Sequence, residues 1–233
     1  MLKVEHLEFF NVEAAIRGMR NPMNSWDRSD SSCKCCLEQD LNRDCASCQV
    51  YIGKNDLGLM QKLYRGGSEH RKYLRHIFVS CDITAPLYWW KEMDTYKFVS
   101  PDPLHYDSNS CSTMHKIAAK EFELADFSCE HLISSHGKHG GSLDCLTSTI
   151  AELNYWRDRY IESKNKDCWW QMIQLLPSSY NQKRTISMTY ETVVDIIRQR
   201  SGHKLDEWRT LVDALKTLPY INEIMSEELH NAE

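Results

Sequence analysis

The chain has 233 residues, enough to bury a full core as one domain or two small ones. Apolar residues make up 42% and charged residues 26%, ordinary for a soluble globular protein, and a formal net charge of −5 supplies no basic field for nucleic acid. No stretch approaches the ~20 apolar residues that span a bilayer, and MLKVEHLEFF at the N-terminus, with Glu5 and Glu8 in its apolar run, reads as no signal peptide. The expectation is a cytoplasmic protein with neither membrane nor nucleic acid as partner.

Residues 2–10 alternate imperfectly and predict a strand. Val12 to Met19 predicts a short helix stopped by Arg20-Asn21-Pro22, because the residue before proline is pushed out of the α region. Residues 22–55 are polar and turn-rich with five cysteines, and read as a long loop, the cysteine-rich insertion lying at 30–55. Asp56 to Tyr64 carries Leu57, Met60 and Leu63 at helical spacing and ends at Gly66-Gly67. Ile77 to Ile83 predicts a strand. Pro86 then opens a helix through Trp89 and Trp90 to Lys97, at a first-turn position where its missing N–H is tolerated. Phe98 to Ser108 reads as a loop. Ser142 to Ser163 predicts the longest helix, with Ile150, Leu153, Trp156 and Tyr160 on one face. Trp169 to Leu175 predicts another helix, Thr185 to Met188 a strand, and Tyr190 to Gln199 and Lys204 to Thr217 two more helices. The acidic tail from Ser226 reads as frayed. The fold class expected is α/β (α+β), a central sheet flanked by helices, in a single domain over 1–233.

The layout from His70 onward resembles a known family. His70 and His76 lie six residues apart before an apolar strand, a helix ends in Thr95-Tyr96-Lys97, and Asn109-Ser-Cys-Ser112-Thr-Met114 follows. This arrangement is similar to the flavin-dependent thymidylate synthases, whose helix ends in Arg-His-Arg before an Asn-x-x-Ser-x-Arg segment. Leu176-Pro177 resembles that family's Leu-Pro element, and the stretch from there to Trp208 aligns without a gap.

The resemblance implies a homotetramer with active sites at subunit contacts. It also implies reductive C5 methylation of dUMP, with FAD as hydride source and methylenetetrahydrofolate as carbon source. It places His76, Tyr96, Lys97 and Asp195 toward the flavin, and Glu92, Ser112 and Arg200 toward the pyrimidine nucleotide. Several family arginines are replaced here. Met114 and Ile173 stand at two of them and Glu191 at a third, where a negative charge enters the cofactor region. Guanidinium forks suit phosphate and uracil oxygens, so these losses bear directly on function. Lys91, Lys97, Arg71, Arg75, Lys183 and Arg184 are candidates to re-supply the charge, or else solvated surface cations. Trp89, Trp90 and Tyr96 are candidate platforms for a flat ring, or core residues. His70 and His76 read equally as site or core residues. The alternative function is a catalytically silent relative that binds nucleotide or a protein partner.

Cys33-x-Cys35-Cys36 and Cys45-x-x-Cys48 form the densest cysteine cluster. Cys33, Cys36, Cys45 and Cys48 are candidate ligands of a structural zinc that would staple the loop; free thiols and a reversible disulfide stay open. Ser134 to Gly141 is a glycine-containing loop before a helix that matches no Walker pattern; it reads as a flexible surface loop rather than as backbone amides that hold a phosphate. Asp206 and Glu207 fall where the flavin-dependent family has a Gln and its neighbour, and read equally as a solvated face.

Overall fold

The computed structural model describes residues 2–33, 50–97, 106–138 and 140–226. Strand β1 (Lys3–Phe10) leads into helix α1 (Val12–Arg20), which buries Val12, Ala15, Ile16 and Met19 at the helical period. Two 3-10 turns, Asn21–Met23 and Trp26–Arg28, precede β2 (Ser32–Cys33), which pairs antiparallel with β3 (Val50–Tyr51). Both ends of the segment read as an insertion are therefore built into the fold. Helix α2 (Lys54–Arg65) begins under Asp30, whose carboxylate accepts from the amides of Asn55 and Asp56. It ends at Gly66-Gly67, where Gly67 takes a φ of +93°.

A 3-10 helix (Arg71–His76) runs into β4 (Phe78–Pro86), then α3 (Leu87–Met93) and a 3-10 turn (Asp94–Lys97). Pro86 is the last strand residue and the N-cap of α3, with extended backbone at ψ 151°, rather than the first helical residue. The first amides of α3, Leu87 and Tyr88, donate to the carbonyls of Tyr180 and Ser178. Strand β5 (Tyr106–Ser110) overlaps the expected loop. Its sequence, Tyr-Asp-Ser-Asn-Ser, carries no apolar alternation because it is an edge strand. Then come α4 (Thr113–Lys116), α5 (Ser142–Ser163), α6 (Lys166–Leu175) and β6 (Asn181–Thr189). Helices α7 (Tyr190–Arg200), α8 (Asp206–Leu215) and α9 (Ile221–Ile224) complete the described chain.

Four strands form one antiparallel sheet in the order β1-β4-β6-β5. Strand β6 outruns the expected Thr185–Met188 because Gln182, Lys183 and Arg184 pair with Ala85, Thr84 and Ile83 of β4. Val79, Cys81, Ile83 and Ala85 on β4, with Ile186 and Met188 on β6, are buried against the helices. The opposite face is polar. There Lys183 bridges Glu5 at 3.3 Å and Asp82 at 3.0 Å, and Thr185 donates to Asp82 at 2.6 Å.

The main core joins this sheet to α1, α2, α3, α7, α8 and α9, with Trp89, Trp90 and Trp208 among its largest buried side chains. A second cluster gathers Phe122, Phe127, Leu146, Ile150, Leu153 and Met172, with Trp156, Tyr160 and Ile173 packed on its margin. Asn154 of α5 fixes the chain above it, donating to the Phe122 carbonyl at 2.9 Å and accepting its amide at 2.8 Å.

Candidate functional site

Three residues expected at a nucleotide or cofactor meet in one place. Helix α3 presents Glu92, the 3-10 turn after it presents Tyr96, and the last turn of α7 presents Arg200. Burial of Trp89, Trp90 and Met93 on the inner side of α3 turns Glu92 toward α8. There Glu92 accepts from the Trp208 indole Nε1 at 2.9 Å. The same carboxylate oxygen lies 3.6 Å from an Arg200 terminal nitrogen and 3.5 Å from His203 Nε2. His203 Nδ1 accepts the Leu205 amide at 3.2 Å, so in the neutral ring the proton sits on Nε2, facing Glu92.

Tyr96 locks the other side of the guanidinium. Its hydroxyl accepts from Arg200 Nε at 3.0 Å and donates to Gln199 Oε1 at 3.0 Å. Burial raises the Tyr96 pKa, and Arg200 only partly opposes that, so the phenol stays protonated. The guanidinium carbon lies 4.6 Å from the Trp208 ring centroid and 5.6 Å from that of Tyr96. Arg200 is thereby oriented on aromatic surface while its side chain keeps 21% exposure, and Glu92 keeps 39%. The arrangement offers a planar donor fork and a carboxylate acceptor side by side, which suits a flat ring edge that both accepts and donates hydrogen bonds.

The remaining expected residues lie elsewhere. Ser112 N-caps α4, accepting the His115 amide at 3.1 Å, and its hydroxyl is 2.7 Å from His115 Nδ1. Its neighbours Cys111 and Thr113 are tied to Gln182 on β6, on the β5 side of the sheet. His76 is exposed beside Gly18, and its carbonyl accepts from Asn11 at 2.8 Å. His70 is exposed as well, so neither histidine is a core residue. Lys97 closes the 3-10 turn, and its side chain is not among those described. Asp195 lies on α7, one oxygen 3.3 Å from Arg71.

Several other expectations are corrected. Trp89, Trp90 and Tyr96 are buried and offer no open stacking surface. The cations read as possible replacements are mostly committed: Arg71 and Arg75 to Glu191, Lys183 to Glu5 and Asp82, and Arg184 to Asp94 at 3.0 Å. Glu207 is no solvated residue; it is buried and accepts from the Tyr88 hydroxyl. The amide of Gly141, at the start of α5, donates to Asp144 at 2.9 Å, so the glycine loop spends that donor on its own helix. Of the proposed zinc ligands, Cys33 is buried in β2, while Cys36, Cys45 and Cys48 lie outside the described residues. Among the described residues no cluster of metal-ligating side chains occurs. His203 and Trp208 were not anticipated as site residues. Trp208 closes the ungapped segment after Leu176-Pro177, but only the packing of α8 on α3 gives it a role.

No family model matches this chain, and no curated protein does. Solved structures share its fold. Thymidylate synthase X (ThyX) from Helicobacter pylori, with FAD and dUMP, is 16% identical over 98% of both chains, with a TM-score of 0.64. The UMP/dUMP methylase PolB from Streptomyces cacaoi, bound with 5-Br dUMP, is 14% identical over 97% of this chain and 95% of its own, with a TM-score of 0.58. At such identities the likeness is one of fold, and the fold is the one the sequence resemblance implied.

Proposed function

We propose that this protein binds a pyrimidine nucleotide at the Arg200 surface, on a fold shared with uracil-nucleotide methylases. The observation that carries the reading is the convergence of Arg200, Glu92 and Tyr96. They come from three separate elements, and Trp208 orients the guanidinium. Arg200 would donate to a ring carbonyl while Glu92 accepts a ring N–H, with Tyr96 holding the fork in place. Calorimetric titration with dUMP tests the reading: saturable binding that weakens in Arg200→Ala supports it, and no binding removes it.

A second reading is reductive C5 methylation of dUMP to dTMP with FAD and methylenetetrahydrofolate. The fold likeness to ThyX and PolB favours it. Flavin, when bound, would supply the hydride. The residues on the cofactor side do not fit that group well, because Glu191 and Asp195 put two carboxylates there and occupy the nearby arginines. Formation of dTMP from dUMP, folate, FAD and a reductant decides between the readings.

Assembly into a homo-oligomer belongs to the same proposal. Helices α5 and α6 expose Tyr155, Ile161, Trp170 and Leu175, apolar surface of the kind that subunit contacts cover. Light scattering that finds only monomer would remove it.

A further inference from the structure

A second charged cluster lies on the other side of α7 from the core. Arg71 and Arg75, at the two ends of the 3-10 helix, face Glu191 and Asp195, one turn apart on α7. Glu191 lies 2.5 Å from Arg75 Nε and 3.4 Å from Arg71 Nε, and Asp195 lies 3.3 Å from an Arg71 terminal nitrogen. The Glu191 and Arg71 side chains are only 10% and 11% exposed. Two guanidinium groups converging on one buried carboxylate form the kind of cradle that also holds a phosphate. With two cations and two anions, the four side chains carry no net charge.

Asp195 and His76 are the positions that the resemblance turns toward the flavin, and they sit on the two elements that build this cluster. We propose that Glu191 is an internal anion filling the arginine cradle, so that the chain holds no flavin dinucleotide on this face. The dinucleotide brings two phosphate charges. To reach Arg71 and Arg75 it must displace a buried carboxylate and leave it without a counter-ion, which is the costly way to break a buried pair. The inference rests on the nucleotide reading only in that α7 carries both this cluster and Arg200.

The test is an FAD titration of the full chain followed by flavin fluorescence, with dUMP titrated separately by calorimetry. Wild type should show no saturable FAD binding up to about 1 mM. Glu191→Gln combined with Asp195→Asn keeps size while removing both negative charges that face Arg71 and Arg75. FAD affinity should then rise at least about tenfold, whereas riboflavin, which lacks the phosphates, should gain nothing. Saturable binding of FAD by wild type overturns the proposal and restores a flavin-dependent reaction. A folded variant that gains no FAD affinity, or gains equally for riboflavin, also overturns it. Glu191→Gln alone, which removes the internal anion and leaves Asp195 in place, gives the same comparison should the double variant not fold. A failed dUMP titration sinks the nucleotide reading and leaves the FAD result standing.

Discussion

Arg20 and Asp56, the end of α1 and the first turn of α2, form a buried ion pair at 2.6 Å across 36 residues of sequence. The second Asp56 oxygen accepts from the Ser29 hydroxyl at 2.7 Å and from the Ser31 hydroxyl at 2.6 Å and amide at 3.1 Å. Arg20 donates onward to the carbonyls of Ser25 at 3.0 Å and Arg28 at 3.1 Å. A buried pair is favourable only when its remaining hydrogen-bonding capacity is used, as it is here. The pair stitches the segment from Asn21 to Ser31 between two helices and so sets where the cysteine insertion begins.

Asp56→Ala should therefore cost about 3–5 kcal/mol of stability, by stranding the Arg20 charge in the interior. Urea unfolding measures it. A loss below about 1 kcal/mol would mean that water replaces the carboxylate.

The same group predicts acid behaviour. Burial pushes the Asp56 pKa up, but hydrogen bonds from Ser31 and Ser29 and the Arg20 guanidinium outweigh it and hold the pKa below the ordinary 3.8. A folded value below the unfolded one gives stability that is present above the unfolded value and lost as pH falls through the folded one. Stability should thus drop as pH falls below 3.8, and Asp56→Asn should flatten that part of the profile.

Arg200→Ala should weaken dUMP binding about 10- to 150-fold, the range of a charge-assisted hydrogen bond. Arg200→Lys should rescue it only in part, since an ammonium keeps the charge but not the fork. Equal titration curves for all three proteins would place Arg200 outside the site.

Glu92 has two separable roles. Glu92→Gln keeps an acceptor for the Trp208 indole but turns an NH2 donor toward the ring N–H that the carboxylate would accept, so dUMP should bind more weakly with stability little changed. Glu92→Ala leaves the buried indole N–H unpaired and should cost about 1–3 kcal/mol in thermal or urea unfolding. Unchanged or tighter dUMP binding by Glu92→Gln would show that the ligand makes no use of the carboxylate.

Thiol labelling and metal analysis address the cysteines. Burial pushes the Cys81 thiol up to about 12, so iodoacetamide should modify exposed Cys111 and Cys145 well before Cys81, as read by peptide mass mapping. The structural-zinc proposal for Cys33, Cys36, Cys45 and Cys48 expects about one zinc per chain, lost in Cys45→Ser. Zinc-free protein purified without chelator removes it.

Periodicity and breakers were legible in the residues themselves. Helix α5 has the bounds that its apolar stripe predicted, Ser142–Ser163, and α7 buries the expected Val193, Val194 and Ile197. These signals are local, because an amphipathic helix carries its own record of which side is buried. Edge strand β5 left no such record, and Pro86 named a boundary without saying on which side of it the helix began.

Tertiary structure decided the charges. Glu191 read as a negative charge facing a cofactor until α7 packed beside the 3-10 helix and enclosed it between Arg71 and Arg75. Glu92 acquired Trp208, Arg200 and His203 from the far end of the chain, more than a hundred residues away. A hydrophobic side chain needs only to be buried, which a pattern can foretell. A charge needs one particular partner within a few ångströms, and for Glu92 and Glu191 that partner comes from a distant part of the sequence.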